Sequence, residues 1–297
     1  MQGPDIAQSK DRGSLLYSPN SGRLGVLAMA SITEIAPSIY RISVLYPAIN
    51  LQFNHFLVRD EEPLLFHAGM RGMFLEVRDA MTKIMDPEKL RWVSWSHFEA
   101  DECGALNDWL AVAPKAKPAC GALGAMVSVN DFCGREVRQL TPDEVLTTGK
   151  YRFRFYPTPQ LPHGWDAGVL FEEKERTLFC SDLFQQFGDV EPISQNSPID
   201  RCAQALKHVQ AGPLANYIPY TPNTAPIMQG LASLAPKTLA VQHGSSFKGD
   251  CKQALLDLNA LMKELLDRPT YTFPQPAAAG MAPGSVPEPR SFARKLS

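Results

Sequence analysis

The sequence predicts an α/β (α+β) layered sandwich, and three observations predict it. Of the 297 residues, 44% are apolar, enough to bury a substantial core in one domain. Short apolar runs of strand length alternate with stretches of helical spacing. These runs fall into two strand-rich halves, each finishing in helices and with no short-period repeat, a pattern that packs sheets and helices in layers.

The elements follow in order. Residues 1–30, rich in Gln, Ser, Gly, Asn and Pro, read as a flexible leader, with Met29 as an alternative start. Strands are expected at Ile39 to Leu45, Asn54 to Arg59 and Pro63 to Phe66, the last two joined by the turn Asp60-Glu61-Glu62. A helix is expected over Phe74 to Met85, then a strand over Leu90 to Ser96 that ends at His97 and hands over to helical spacing through Leu110. In the second half, Tyr151 to Tyr156 alternates as a strand, and Gly168 to Glu172 with Thr177 to Cys180 reads as a hairpin. Ile199 to Val209 is an amphipathic helix, Leu239 to Gln242 a short buried strand ending at His243, and Asp250 to Leu266 a closing helix. One domain is thus placed at 31–270, and residues 271–297, a Pro, Ala and Gly-rich stretch, read as a disordered tail.

Composition excludes several classes of function. A formal charge of −2 and the lack of any Lys/Arg block argue against a nucleic-acid partner. No run reaches the roughly 18 apolar residues of a membrane span. The six cysteines stand singly, without C-x-x-C spacing or a secretory signal upstream, so reduced thiols and a cytoplasmic location are expected. Without a G-x-S-x-G elbow, a G-x-G-x-x-G loop or a G-K-[ST] loop, neither a serine hydrolase nor a nucleotide enzyme is supported.

The densest chemical signal is Ser96-His97-Phe98-Glu99-Ala100-Asp101-Glu102-Cys103-Gly104, one imidazole and three carboxylates in six positions. Acids this close repel unless something positive holds them. The first turn of a helix is one such place, since its dipole favours Asp101 and Glu102. A metal pair is the other, because alternation puts His97, Glu99 and Asp101 on one side of an extended loop. The remaining histidines favour the metal pair. Pro162-His163-Gly164 and Gln242-His243-Gly244 each set a histidine just past a strand beside a glycine, and Ser181-Asp182 follows another strand.

The H-x-E-x-D run at His97, Glu99 and Asp101, followed by His163, Asp182 and His243, resembles the ligand series of the oxygen-reducing domain of flavodiiron proteins, a branch of the metallo-β-lactamase superfamily. Leu161-Pro162-His163-Gly164-Trp165-Asp166 is similar to that family's third-histidine segment. Leu178-Phe179-Cys180-Ser181-Asp182-Leu183-Phe184 with Phe187-Gly188 is similar to the segment of its bridging aspartate. The likeness runs in order over about residues 35 to 265. It implies a four-layer αββα metallo-β-lactamase-like sandwich with two metal ions. His97, Glu99 and His163 would hold one ion, Asp101 and His243 the other, and Asp182 would bridge them. Glu99 stands where the superfamily's zinc hydrolases usually have histidine, and a hard anionic oxygen favours iron, with zinc or manganese as the other metals the set accepts.

Two departures shape the functional expectation. Glu102 occupies the place of the family's second histidine. As a ligand it would bring the set to four carboxylates and depress the reduction potential; otherwise the second metal keeps an open position. The flavodiiron enzymes usually carry a flavodoxin-like domain after the metal domain, whereas here a Pro-rich stretch follows and no flavin site is expected. The resemblance therefore implies a di-iron protein that binds or reduces dioxygen or a related small oxidant, using an external electron donor, and a homo-oligomer is compatible with it. A binuclear hydrolase of an ester, lactone or phosphodiester is the alternative, and an oxygen or redox sensor with a signalling partner a third.

Other residues are weaker candidates. His67, Trp165 and Asp166 could support the ligands through hydrogen bonds or packing. Cys103 reads as a buried packing residue, His55 and His208 as structural or exposed, and Tyr220 and Phe247 as lining either an entrance or the core.

Overall fold

A computed structural model describes residues 29–267. The tail expected over 271–297, and the leader except for Met29 and Ala30, lie outside the described residues. The first half folds as β1 (Ser31–Ala36), β2 (Ile39–Tyr46), β3 (Leu51–Val58), β4 (Leu64–Phe66), β5 (Trp92–Ser94), β6 (Lys117–Gly121) and β7 (Arg138–Leu140), hydrogen-bonded in that order as one seven-stranded sheet. The second half supplies β8 (Val145–Thr147), β9 (Arg152–Pro157), β10 (Gly168–Glu172), β11 (Thr177–Phe179), β12 (Ile193–Ser194), β13 (Thr238–Ala240) and β14 (Ser246–Phe247). These form a second sheet in the order β12-β14-β13-β11-β10-β9-β8.

Both halves open as antiparallel hairpins and then switch to parallel pairing, at β4 with β5 and at β11 with β13. A parallel partner requires a crossover, and helices provide it. The helices of the first half are α1 (Phe74–Met81), α2 (Ala100–Cys103), α3 (Leu106–Val112), α4 (Ala122–Gly124) and α5 (Asn130–Phe132), the last two joined by a π turn at Ala125–Val129. Those of the second half are α6 (Ile199–Gln210), α7 (Thr224–Ser233) and α8 (Cys251–Leu266).

Strand alternation explains the layers. On β3, Leu51, Phe53 and Leu57 face the first-half helices, while Phe56 and Val58 face the other sheet. On β11 and the residue after it, Leu178 and Cys180 face the second-half helices and Phe179 faces inward. Three separate apolar clusters result, one between the sheets and one beneath each helical layer, as an αββα sandwich requires. Phe56, Phe66, Phe153 and Phe179 meet at the centre between the sheets. No helix among the described residues is long and apolar enough to cross a membrane.

The structure corrects several expected boundaries. The helix expected to run to Met85 ends at Met81, because the chain must leave helical geometry before Pro87. The helical stretch after His97 breaks into α2 and α3. β6, β7, β8 and α7 escaped the sequence reading: the strands are short, β6 contains Pro118, and α7 carries Pro226 and Gly230.

Candidate metal centre

His97, Asp182 and His243 follow β5, β11 and β13, strands that have a parallel partner, whereas His163 lies in the connection between antiparallel β9 and β10. Ser94 closes β5, the chain bends through Ser96–Phe98 with Glu99 N–H donating to His97 O at 3.0 Å, and Glu99 is extended at φ −139°. Helix α2 begins at Ala100, so the alternation expected to carry Asp101 along with His97 and Glu99 ends at Glu99. Within a helix, consecutive residues turn by about 100°, and Asp101 and Glu102 leave in different directions. Asp101 faces His243, at 3.2 Å from Nε2; Glu102 turns into the interior and is fully buried.

His163 lies in the loop between β9 and β10, closed by Thr158 N–H donating to Ala167 O at 2.8 Å and Gln160 N–H donating to Gly164 O at 2.7 Å. Gly164 has φ +82°, and a Cβ there would lie 3.2 Å from His97 Cβ, so only glycine lets the two histidine loops approach. The imidazole rings of His97 and His163 then meet edge to face at 4.2 Å. Asp182 follows β11 after Ser181, and His243 follows β13.

The two oxygens of Asp182 face two different groups. Oδ2 lies 2.9 Å from His163 Nε2 and 3.8 Å from His97 Nε2, and Glu99 Oε2 completes that side at 2.9 Å from His97 Nε2 and 3.3 Å from His163 Nε2. Oδ1 lies 3.1 Å from His243 Nε2 but without hydrogen-bond alignment, leaving a buried carboxylate oxygen with no hydrogen bond. The atoms of His97, Glu99, His163 and Asp182 converge within 4.8 Å, as do those of Asp101, Asp182 and His243. Burial alone would lower His97, yet Glu102, Glu99 and Asp182 outweigh it and raise it to about 10. His243 is likewise raised against burial by Asp101 and Asp182, and Asp182 is held well below the ordinary carboxylate value against burial by His163, His243 and His97. An array this charged is balanced either by protons on its imidazoles or by cations between the groups, and the donor set fits two cations.

Supporting contacts fix which imidazole nitrogen is free. His243 Nδ1–H donates to Gln52 O at 2.9 Å, so on losing its other proton to a metal the ring would present the lone pair of Nε2 between Asp101 and Asp182. The same loop is pinned by Asn54 Nδ2, which donates to Val241 O and Gly244 O at 2.8 Å each. The buried Arg41, lowered by burial to about 10 and still charged near neutrality, donates to Gly244 O at 3.1 Å. Asp166 accepts from Phe98 N–H at 3.0 Å and so steadies the His97–Glu99 loop, whereas Trp165 is 42% exposed.

Glu102 belongs to neither converging group. Its Oε2 accepts from Ser96 N–H at 2.7 Å and its Oε1 from Ser181 Oγ at 2.6 Å, and His97 Nδ1 and His67 Nε2 each lie 3.5 Å away. Burial pushes Glu102 up to about 8, with His97 opposing. His67 is buried and lowered to about 3, so its approach to Glu102 is a polar contact between a neutral ring and a carboxyl group. Its Nδ1–H donates to Asn54 O at 3.1 Å.

Sequence reasoning missed Tyr217. Its hydroxyl donates to Asp182 Oδ2 at 3.2 Å, and its ring lies 4.0 Å from that of His163. The entrance role considered for Tyr220 and Phe247 does not fit their places: Tyr220 reaches Asn259 on α8, and Phe247 is buried in the core. Cys103 is buried with its thiol pushed up by desolvation and donating to Glu99 O, so it packs as expected rather than forming a thiolate. His208 is exposed on α6, while His55 is buried with Nδ1 bonded to His67 O at 3.0 Å.

Comparison with known proteins places the family and the fold. The family model described as ODP family beta lactamase matches residues 51–244. The rubredoxin-oxygen oxidoreductase of Megalodesulfovibrio gigas is 27% identical over 200 residues, which cover 66% of this chain and 49% of that protein. Among solved structures, the rubredoxin oxygen:oxidoreductase of Desulfovibrio gigas superposes with a TM-score of 0.67 at 22% identity, over 77% of this chain and 61% of that one. The flavodiiron protein of Giardia intestinalis gives 0.67 at 16%, over 79% and 60%. At these identities the structural likeness is one of fold, and the chain spans about half the length of that curated relative.

Proposed function

The chain belongs to the ODP family of beta lactamases, and from that premise we propose that it is a two-metal oxidoreductase domain acting on dioxygen or a related small oxidant. His97, Glu99, His163 and Oδ2 of Asp182 hold one ion. Asp101, His243 and Oδ1 of Asp182 hold the other. The observation that carries the proposal is Asp182 itself, a buried carboxylate whose two oxygens face two separate groups of ligand atoms. Iron is the metal proposed, because three carboxylates beside three imidazoles form a hard, anionic set that suits a higher-valent ion.

Bound there, such a pair supplies electrons to a small oxidant. The protein's part is to orient and to move protons. Burial and the Gln52 carbonyl fix the His243 tautomer, Asp166 and Gly164 fix the His97 loop, and Glu102 supports that loop and the Asp182 loop together without ligating. Tyr217 holds a hydroxyl proton beside Asp182 in a half-buried position, where it can donate to an oxygen atom arriving from solvent.

The curated relative's name includes rubredoxin, and an external one-electron protein donor is accordingly proposed for this chain. The hydrolase and sensor readings draw no specific support from the site. The test is oxygen uptake by the iron-loaded chain after it has been reduced anaerobically and freed of excess reductant. Uptake that disappears when zinc replaces iron is expected; equal uptake with zinc, or none with iron, would contradict the proposal.

A further inference from the structure

The two metal positions are not equivalent. Four side chains converge on the first and three on the second, with Asp182 shared. A further carboxyl group beside the cluster is that of Glu102, 3.5 Å from His97 Nδ1, and it is committed elsewhere. Both its oxygens accept short hydrogen bonds, from Ser96 N–H and from Ser181 Oγ. Rotating it toward the second position would leave those two donors unpartnered in the interior, at about 1–3 kcal/mol each. Asp101 is also divided: its Oδ2 accepts from Gln242 Nε2 at 3.2 Å besides facing His243. One imidazole therefore serves the second position where two serve the first.

We propose that the two positions hold metal unequally, the first tightly and the second at least about 10-fold more weakly, a difference within the range that the support around a metal site commands. The second position keeps a coordination place for a small exogenous ligand, as sites with three protein ligands do. This inference rests on the two-metal reading above.

The whole chain, loaded with excess iron(II) under argon, is dialysed against rising chelator, and iron per chain is counted by mass spectrometry. The expected curve falls in two steps of one equivalent each, their midpoints at least about tenfold apart in chelator. Asp101→Ala should abolish the weaker step alone. Glu102→Gln, which removes a supporting carboxyl group and no ligand, should shift both midpoints and keep both steps, because a supporting group commonly changes metal affinity by about 10- to 100-fold without removing a site. A single two-equivalent step would overturn the inequality while leaving the two-metal reading in place, and loss of the weaker step alone in Glu102→Gln would overturn the three-ligand account of the second position. No bound iron at the start would overturn that reading and the inequality with it.

Discussion

The hydroxyl of Ser181 donates to the carboxylate of Glu102 at 2.6 Å, joining the loop that carries Asp182 to the helix that carries Asp101. The two halves of the chain, and both proposed metal positions, are held in register through this buried contact. Ser96 N–H on the other oxygen adds the His97 loop to the same junction.

Glu102→Ala should therefore destabilise the fold more than its distance from solvent chemistry suggests. Two buried donors lose their acceptor, costing about 2–5 kcal/mol together. In a domain of this size that lowers the melting temperature by roughly 5–15 °C. Thermal unfolding followed by circular dichroism measures it, and a change of only a degree or two would mean that the junction is not what holds the loops.

Gly164→Ala should damage the site more than the fold. The left-handed φ of +82° strains any side chain there, and a Cβ 3.2 Å from that of His97 pushes the neighbouring histidine by a few tenths of an ångström. A cost of about 1–3 kcal/mol is expected for the strained backbone, together with a loss of metal that wild-type protein at the same temperature does not show. Metal analysis beside a melting curve separates the two effects.

Metal uptake should release protons. His97, raised to about 10, and His243, raised well above the ordinary imidazole value, are both protonated at pH 7 in protein freed of metal, and a ligating nitrogen must be neutral. About two protons should leave when both positions fill. Calorimetry in buffers of different ionisation enthalpy reads this directly; binding heats independent of the buffer would show that the imidazoles were already neutral.

Tyr217→Phe should leave metal content intact and slow the reaction with oxygen. The substitution removes the hydroxyl that donates to Asp182 Oδ2 while keeping the ring against His163. A loss of about 10- to 100-fold in the rate of reoxidation is expected if that proton is used. Stopped-flow reoxidation at the wild-type rate would assign Tyr217 to packing alone.

Much of this centre was legible in the sequence. His97, His163, Asp182 and His243 each follow a run of strand character, and strand ends on a layered fold converge at one edge. What could not be read were directions. Asp101 and Glu102 are adjacent acids of similar chemistry, and only the start of α2 at Ala100 sends one toward His243 and the other under the His97 loop. Tyr217 was missed because it sits in the irregular segment between α6 and α7, where no periodicity says which of Tyr217 and Tyr220 faces Asp182 and His163. The strands β7 and β8 are only three residues long and are held by pairing, β7 with β6 and β8 with the adjacent β9, so their local pattern was too short to register.

The central claim is that Asp182 joins two metal positions, and its most direct test is the iron content of the purified chain beside Asp182→Ala and a His208→Ala control. About two irons per chain are expected in the native and His208→Ala proteins, and at most about one in Asp182→Ala, since a bridging carboxylate serves both ions of a two-metal site. Two irons retained by Asp182→Ala would contradict the account.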